Sequence, residues 1–533
     1  MSIASSIFSH AQSGWQSVIL LLLVTYIAYF YYKYYTRENP LPGPIPLPLL
    51  GNFLQIGWDL PRWANKAQAK YGDAWEVWLG RERSIFLGRA DFVEKIYNPS
   101  TKNNFTMRTG PSEGLDEFGY TNKGIIMNRE SWQYNRGLVN QTVTAKSYLK
   151  ELVKATQENF KETEGYWRKL ASHKPLDFAA WSMCMVTDVT VIMSTGKPAY
   201  QCAIYYNSLV SDKAKIQHPQ SVFKFEGDFV EAITTWFYAV QFSYFFPKWI
   251  RHYVPVFKSY QDKFMKNSKW MLSTLLEIIK ERRQEIECAP PHVQLPANVL
   301  TLLLTTNTPR DMTKVSTINS IDRPMNDAEI AENLVEVFAA GIDTTANSLT
   351  FMIWNMCKYP HAKQRLLEEM AEVFGPNLQN REITQESLEK LIYFDAFIKE
   401  TARLTPVVPA LVKTAQKDDE IVGFRWKAGT QFYTNIHGIH LNPAHWDNPQ
   451  EFDPDRFLKI ESSKTKNALL QFGGGLRICP GRQMAILELK TLLVCLLRKY
   501  EIELEDSRGE LQYSFGMINH CDNLNVFIRP KAF

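Results

Sequence analysis

Phe472-Gly473-Gly474-Gly475-Leu476-Arg477-Ile478-Cys479-Pro480-Gly481 decides how the other residues are read. A cysteine that ligates a metal does so as thiolate, and an anionic sulfur is favoured at the amino terminus of a helix. The run Gln483 to Tyr500 reads as that helix, so its end is expected to lower the Cys479 thiol pKa. Three glycines before the cysteine and Gly481 after it leave the main chain free to approach a flat ligand and to turn N–H groups toward sulfur. No second Cys or His stands at zinc-ligand spacing on either side, which disfavours a tetrahedral site. One iron held by one thiolate in a flat macrocycle fits better. Taken alone, the glycines also read as a surface loop and Cys479 as a core cysteine.

Phe472, Gly475, Arg477, Cys479 and Gly481 in this spacing resemble the haem-binding signature of the cytochrome P-450 superfamily, in wording similar to that of microsomal eukaryotic, fungal members. The resemblance implies haem b (iron protoporphyrin IX) as cofactor and Cys479 as the axial ligand of its iron. It also implies Phe472, Arg477 and Gly481 as cofactor-binding residues.

The whole chain bears on the same question. At 533 residues, with 45% hydrophobic and 13% aromatic side chains, it can bury a large core. Sixty basic against 56 acidic residues leave too little charge for a general nucleic-acid binder, so no nucleic acid is expected as partner. Seven scattered cysteines outline no disulfide framework and suit a reducing compartment. Trp15 to Tyr35 is the candidate membrane span, apolar from Val18 to Val24 and tyrosine-rich beyond. Lys33 at its far end and Arg37 beyond it are basic and no Lys or Arg precedes it, which directs the start of the chain to the lumen and the body to the cytosol. A cleaved secretory signal is the alternative, but the basic start and small-residue cleavage site it needs do not stand out. Residues 1–36 are therefore expected as luminal tip and transmembrane anchor. Residues 37–52, with prolines at 40, 42, 44, 46 and 48, form a stiff hinge, and 53–533 the haem-thiolate domain. The microsomal resemblance implies a single-pass protein of the endoplasmic reticulum membrane.

Further motifs stand in the family's order. Trp75 to Leu87 reads as two strands turning at Gly80 to Arg83, and Gly423 to Thr434 as paired strands. Trp132 and Arg136 share a helix face at i and i+4; they read as a cation–π pair or, by resemblance, as the pair that holds a haem propionate. Asn326 to Glu329 has the form of a capping box and opens an apolar helix to about Cys357. Inside it lies Ala339-Ala340-Gly341-Ile342-Asp343-Thr344-Thr345, where an acid and hydroxyls interrupt an apolar face. They could satisfy helix carbonyls at a kink, or relay protons. The resemblance implies Asp343 as relay acid, Thr344 as the alcohol beside it, and Ala340 and Gly341 as the close approach for the macrocycle. Glu400 and Arg403, three apart on a helix, and Arg456 in Phe452 to Phe457 resemble the family's structural ion network.

Other features are less specific. Lys413 stands where relatives carry an arginine, keeping the charge without the fork. His437, His440 and His445 invite a metal reading, although the first two fall where the family has structural strand and turn. The aromatic stretch from Trp236 to Trp249 reads as core or, by resemblance, as the family's lid over an entrance for lipophilic substrates, and Phe515 to Ile518 resembles its terminal hairpin tip that reaches the substrate.

The fold class that follows is mainly α: a cytochrome P-450 fold with an α-helical body, a smaller β-rich lobe and an N-terminal transmembrane helix. The resemblance implies a monooxygenase acting on a lipophilic substrate of terpenoid, steroid, fatty acid or polyketide type. Without a dinucleotide fingerprint or flavin domain, electrons are expected from NADPH-cytochrome P-450 reductase, with cytochrome b5 as a further donor. Arg129, Arg482 and Lys490 are candidates for the docking face, although a solvated charge is the commoner explanation for each. The rivals are a P-450-type isomerase or dehydratase that consumes no oxygen, and a membrane haem-binding sensor.

Overall fold

In the computed structural model the chain is described except for residues 1, 81, 109–116, 119–123, 126–131, 171–173, 224–228, 312–322, 376–380, 460–466, 516–517 and 532–533, and the side chains of 2–16, 244 and 245. Among the described residues two helices are long and apolar enough to cross a membrane, and burial separates them. Phe178–Thr195 is 83% buried inside the protein, whereas Ser17–Tyr35 is only 6% buried. The first is a core helix; the second belongs to a 34-residue helix, Ser2–Tyr35, whose apolar side chains from Val18 to Val24 face outward. Its base docks on the body through Phe30 and Tyr34, edge-on to Trp78 at 6.0 and 6.2 Å, and through the Arg37–Glu76 ion pair at 2.5 Å.

Most of the body is helical, and its largest core is built around Asp327–Lys358. This central helix begins with the capping box read from the sequence: Asn326 Oδ1 accepts from Glu329 N, and Glu329 Oε2 from Asn326 N. A four-stranded sheet lies to one side, in the order Ala74–Leu79, Glu82–Leu87, Gln431–Asn435, Ala410–Thr414. Only its middle pair is parallel.

Two expectations fail here. The strands between Gly423 and Thr434 do not pair with each other. Val422 (φ 54°) and Gly423 (φ 74°) make a tight turn of the left-handed type that hairpins favour. Phe424–Trp426 consequently folds back on Asp419–Ile421, while Gln431–Asn435 joins the larger sheet. His437 and His440 lie on a short helix, Ile436–His440, rather than on a strand and turn.

Candidate active site

The cysteine helix runs Arg482–Lys499, and the stretch before it is held by its own backbone. Gly473 N donates to Leu470 O at 2.9 Å, Cys479 N to Phe472 O at 2.9 Å and Ile478 N to Gly475 O at 3.2 Å. The three glycines do different work. Gly473, at φ +70°, lines the cavity beside Cys479. Gly474 and Gly475 instead press against Tyr97; a Cβ would stand 3.1 Å from the Tyr97 side chain at 474 and 3.0 Å from the Tyr97 carbonyl oxygen at 475. Two of the three glycines read as an approach for the ligand are thus an approach for a neighbouring segment.

A cavity of about 310 Å³, within the range of small-molecule sites, separates the cysteine stretch from the central helix. Arg136, Ala340, Gly341, Thr344, Phe472, Arg477, Cys479 and Gly481 line it. Thr344 Oγ1 donates to Ala340 O at 2.6 Å on the cavity side, and the helix is continuous there. A Cβ on Gly341 would reach Thr190 Cγ2 at 3.4 Å, so this glycine also sets how closely the Phe178–Thr195 helix packs.

Two predicted site residues are not on the cavity wall. Trp132 stands behind it, and the guanidinium over its ring is that of Arg477, 4.2 Å from the centroid, instead of Arg136. The Arg136 side chain donates to the Ile478 carbonyl. Asp343 is buried toward the terminal hairpin, with its Oδ1 2.9 Å from Asn347 Nδ2 and 3.3 Å from His520 Nδ1.

Burial raises the Cys479 thiol pKa above its ordinary value, against the Gly481 backbone N–H and the charges of Arg136, Arg108 and Arg482, which act to lower it. The expected depression by the helix end is thus overridden in the protein alone. A metal that coordinates the sulfur removes the proton outright.

The electrostatics of the cavity identify what it is built for. Arg108, which no motif singled out, lines the wall and donates to Arg477 O at 3.2 Å. Burial and the mutual repulsion of these guanidiniums push Arg136 down to about 10 and Arg477 to about 9. Lys413 is pushed down to about 6 by burial, then by Arg108, Arg477 and Arg136. Three guanidiniums gathered beside an apolar space suit the entry of an anion. A flat ligand carrying two carboxylates, with a metal at its centre for the Cys479 sulfur, meets each of these features; haem b does so through its propionates. Glu336, also on the wall, partly offsets the charge of Arg108 and Arg477.

The sequence profile of Cytochrome P450 matches residues 41–521. This chain belongs to the cytochrome P450 family. It is 24% identical to Cytochrome P450 3A6 of Oryctolagus cuniculus, over 88% of this chain and 87% of that protein. It is likewise 24% identical to Probable cytochrome P450 4d20 of Drosophila melanogaster, over 93% and 94%. With the mitochondrial Sterol 26-hydroxylase of Rattus norvegicus it shares 25%, over 89% and 85%. As a cytochrome P450 it is a haem-binding monooxygenase.

His437, His440 and His445 of this P450 serve its scaffold. His440 Nε2 accepts from Leu470 N at 2.9 Å, His445 Nε2 from Ala90 N at 3.0 Å, and His437 Nδ1 lies 2.9 Å from Asn65 Nδ2. Burial pushes His437 to about 4 and His440 to about 3, so both are neutral in the folded protein. Lys490 is no docking residue: it is buried, bonded to the Leu388 and Leu391 carbonyls at 3.0 Å and paired with Asp395 at 2.8 Å. Arg482 is exposed. Arg129, Gly516 and Met517 lie outside the described residues.

Proposed function

We propose that this chain is a membrane-anchored P450 of the endoplasmic reticulum that inserts one oxygen atom of O2 into a lipophilic terpenoid, steroid, fatty acid or polyketide. NADPH supplies the electrons through a separate membrane-bound reductase, with cytochrome b5 as a further donor. The observation that carries this reading is an apolar cavity bounded by the Cys479 thiol on one side and by Ala340, Gly341 and Thr344 on the other. Haem, when bound, would supply oxygen activation, and Cys479 would hold its iron through the thiolate. Arg108, Arg136 and Arg477 would hold its carboxylates by charge-assisted hydrogen bonds, and Trp132 braces Arg477. Val139, Val337, Phe351, Met352 and Val407 exclude water and favour an apolar substrate. Protons consumed in the reaction pass from the Asp343 carboxylate to Thr344 Oγ1, the hydroxyl that faces the cavity. The sterol named for the rat relative supports keeping steroids among the substrate classes. The exposed Ser17–Tyr35 segment, with Lys33 at its far end and Arg37 beyond it, supports the luminal start and cytosolic body.

The test is reconstitution of the full chain with an NADPH-dependent reductase and a panel drawn from the four substrate classes, scored for a product heavier by one oxygen atom. Turnover that needs neither NADPH nor O2 would favour the isomerase or dehydratase reading. In the same assay Thr344→Ala is expected to lower product formed per NADPH about tenfold, with hydrogen peroxide released in its place, because the hydroxyl that hands on the proton is gone. Unchanged coupling would remove Thr344 from the relay.

A further inference from the structure

Asp343 is the acid of the proposed relay, yet its carboxylate turns away from the cavity, and what it meets there comes from the end of the chain. Asn347 Nδ2 donates to Asp343 O at 2.8 Å and to Asp343 Oδ1 at 2.9 Å, while Asn347 Oδ1 accepts from Cys521 N at 2.8 Å. The amide is therefore fixed in orientation, and both its hydrogens are committed to Asp343. His520 Nδ1 lies 3.3 Å from Asp343 Oδ1 and 3.3 Å from Asn347 Nδ2. With the amide hydrogens spent, the remaining favourable arrangement has His520 Nδ1–H donating to the carboxylate. Among the described residues Nε2 of the same ring has no hydrogen-bond partner, and the side chain is 37% exposed, which leaves solvent to serve it.

The backbone that carries the ring is held in place from both sides. Asn519, beside it, is 1% exposed and donates through N and Nδ2 to Val407 O and Pro406 O, each at 2.8 Å. His520 itself pairs with Ser514 across the hairpin Tyr513–Phe515 and Asn519–Cys521. The imidazole thus bridges solvent and a buried carboxylate next in sequence to Thr344.

We propose that His520 loads Asp343 with its proton: Nε2 takes a proton from solvent, Nδ1 gives one to Asp343 Oδ1, and the ring returns to its starting state by exchanging tautomers. One proton enters and one leaves, with no change of electrons. The inference rests on the reading of Asp343 and Thr344 as the proton relay. His520 acts through Asp343 and is a positioning residue. The charged groups that face it are Asp343 of the central helix and Asp522 just beyond its own strand. Both raise its pKa above that of an ordinary imidazole, the Asp343 hydrogen bond most of all, while part burial opposes them. A raised pKa keeps the ring protonated further into the neutral range and loses that charge as pH climbs through it.

Two measurements on the full-length, haem-loaded protein test this. The first is the rate of NADPH consumption with reductase and dodecanoic acid as probe, in H2O and D2O, across neutral to alkaline pH. His520→Gln keeps a donor toward Asp343 but cannot exchange tautomers. It is expected to slow consumption about fivefold, enlarge the solvent isotope effect and flatten the alkaline decline. The second needs no turnover: titration of the histidine ring resonances by NMR, with His520 assigned by its absence from the variant. Its midpoint is expected above the ordinary imidazole value and to fall back in Asp343→Asn. If Asp343→Asn slows the enzyme while His520→Gln matches wild type, the inference about His520 is wrong and the relay reading stands. If neither variant differs from wild type, the relay reading has failed as well. An ordinary midpoint for His520 in the wild type overturns the pairing, whether or not either variant folds.

Discussion

Replacing Cys479 by alanine is expected to abolish the absorption band at about 450 nm that a thiolate-ligated haem gives when reduced and exposed to carbon monoxide, and with it all monooxygenase turnover. The fold is expected to survive. The Cys479 side chain is only half-buried on the cavity wall, and the backbone bond from Cys479 N to Phe472 O does not need the sulfur. Losing one sulfur atom from such a site costs about 1 kcal/mol, well inside the margin of a folded domain. The effect is thus separable: thermal unfolding of the protein nearly unchanged, haem signature gone. Arg108, Arg136 and Arg477 remain to hold the carboxylates, so the variant is expected to keep some haem, with a band at another wavelength. Spectra of wild type and Cys479→Ala side by side decide the matter. A variant that keeps the band, or a haem-loaded wild type that lacks it, would remove Cys479 as the axial ligand.

Why the sequence disclosed Cys479 but not its surroundings has a physical reason. The cysteine, the Gly-rich turn, the capping box at Asn326 and the Glu400–Arg403 helix are local patterns, each fixed by residues a few positions apart. Arg108 and His520 matter through contacts made across more than a hundred residues. Arg108 reaches the cavity because Met107 bridges to Thr414, and nothing near position 108 signals that pairing. His520 reaches Asp343 only because Asn519 is tied to 406–407. The cation–π reading of Trp132 with Arg136 fails for the same reason. An i,i+4 partner is available in Arg136, but the tertiary one, Arg477, places its guanidinium 4.2 Å from the ring centroid. Lys490 looked like a surface charge because composition does not show that two carbonyls and Asp395 wait for it inside. Glycines can mislead in the opposite direction. Their meaning in Gly473 to Gly475 depends on whether a ligand or Tyr97 stands opposite, which local sequence cannot distinguish.

Glu400→Gln is expected to cost about 3–5 kcal/mol, because it leaves buried guanidiniums without their counter-charge. Glu400 and Arg403 are both fully buried and joined by two bonds, Nε to Oε2 at 2.7 Å and Nη2 to Oε1 at 2.8 Å. Oε1 also accepts from Arg456 Nε at 3.1 Å and from Asp453 N at 2.8 Å. An amide in that position must turn its NH2 toward one of these donors. The other Arg403 donors go to the carbonyls of His440, Pro449 and Glu451 at 2.9, 2.7 and 2.9 Å, so all five N–H groups are used. Lysine has three, and Arg403→Lys is therefore expected to cost nearly as much as Glu400→Gln, although the charge is kept. The damage is directed at the active site. Arg403 fixes the His440 carbonyl, His440 Nε2 accepts from Leu470 N, and Leu470 O accepts from Gly473 N at the start of the cysteine stretch. Haem content is then expected to fall together with the unfolding temperature. Asp455→Ala, which breaks only the half-exposed pair with Arg365 at 3.0 Å, is the control and is expected to cost under about 1 kcal/mol. Equal losses from Asp455→Ala and Glu400→Gln, or full haem content in Arg403→Lys, would show that the cysteine stretch holds its shape without this network.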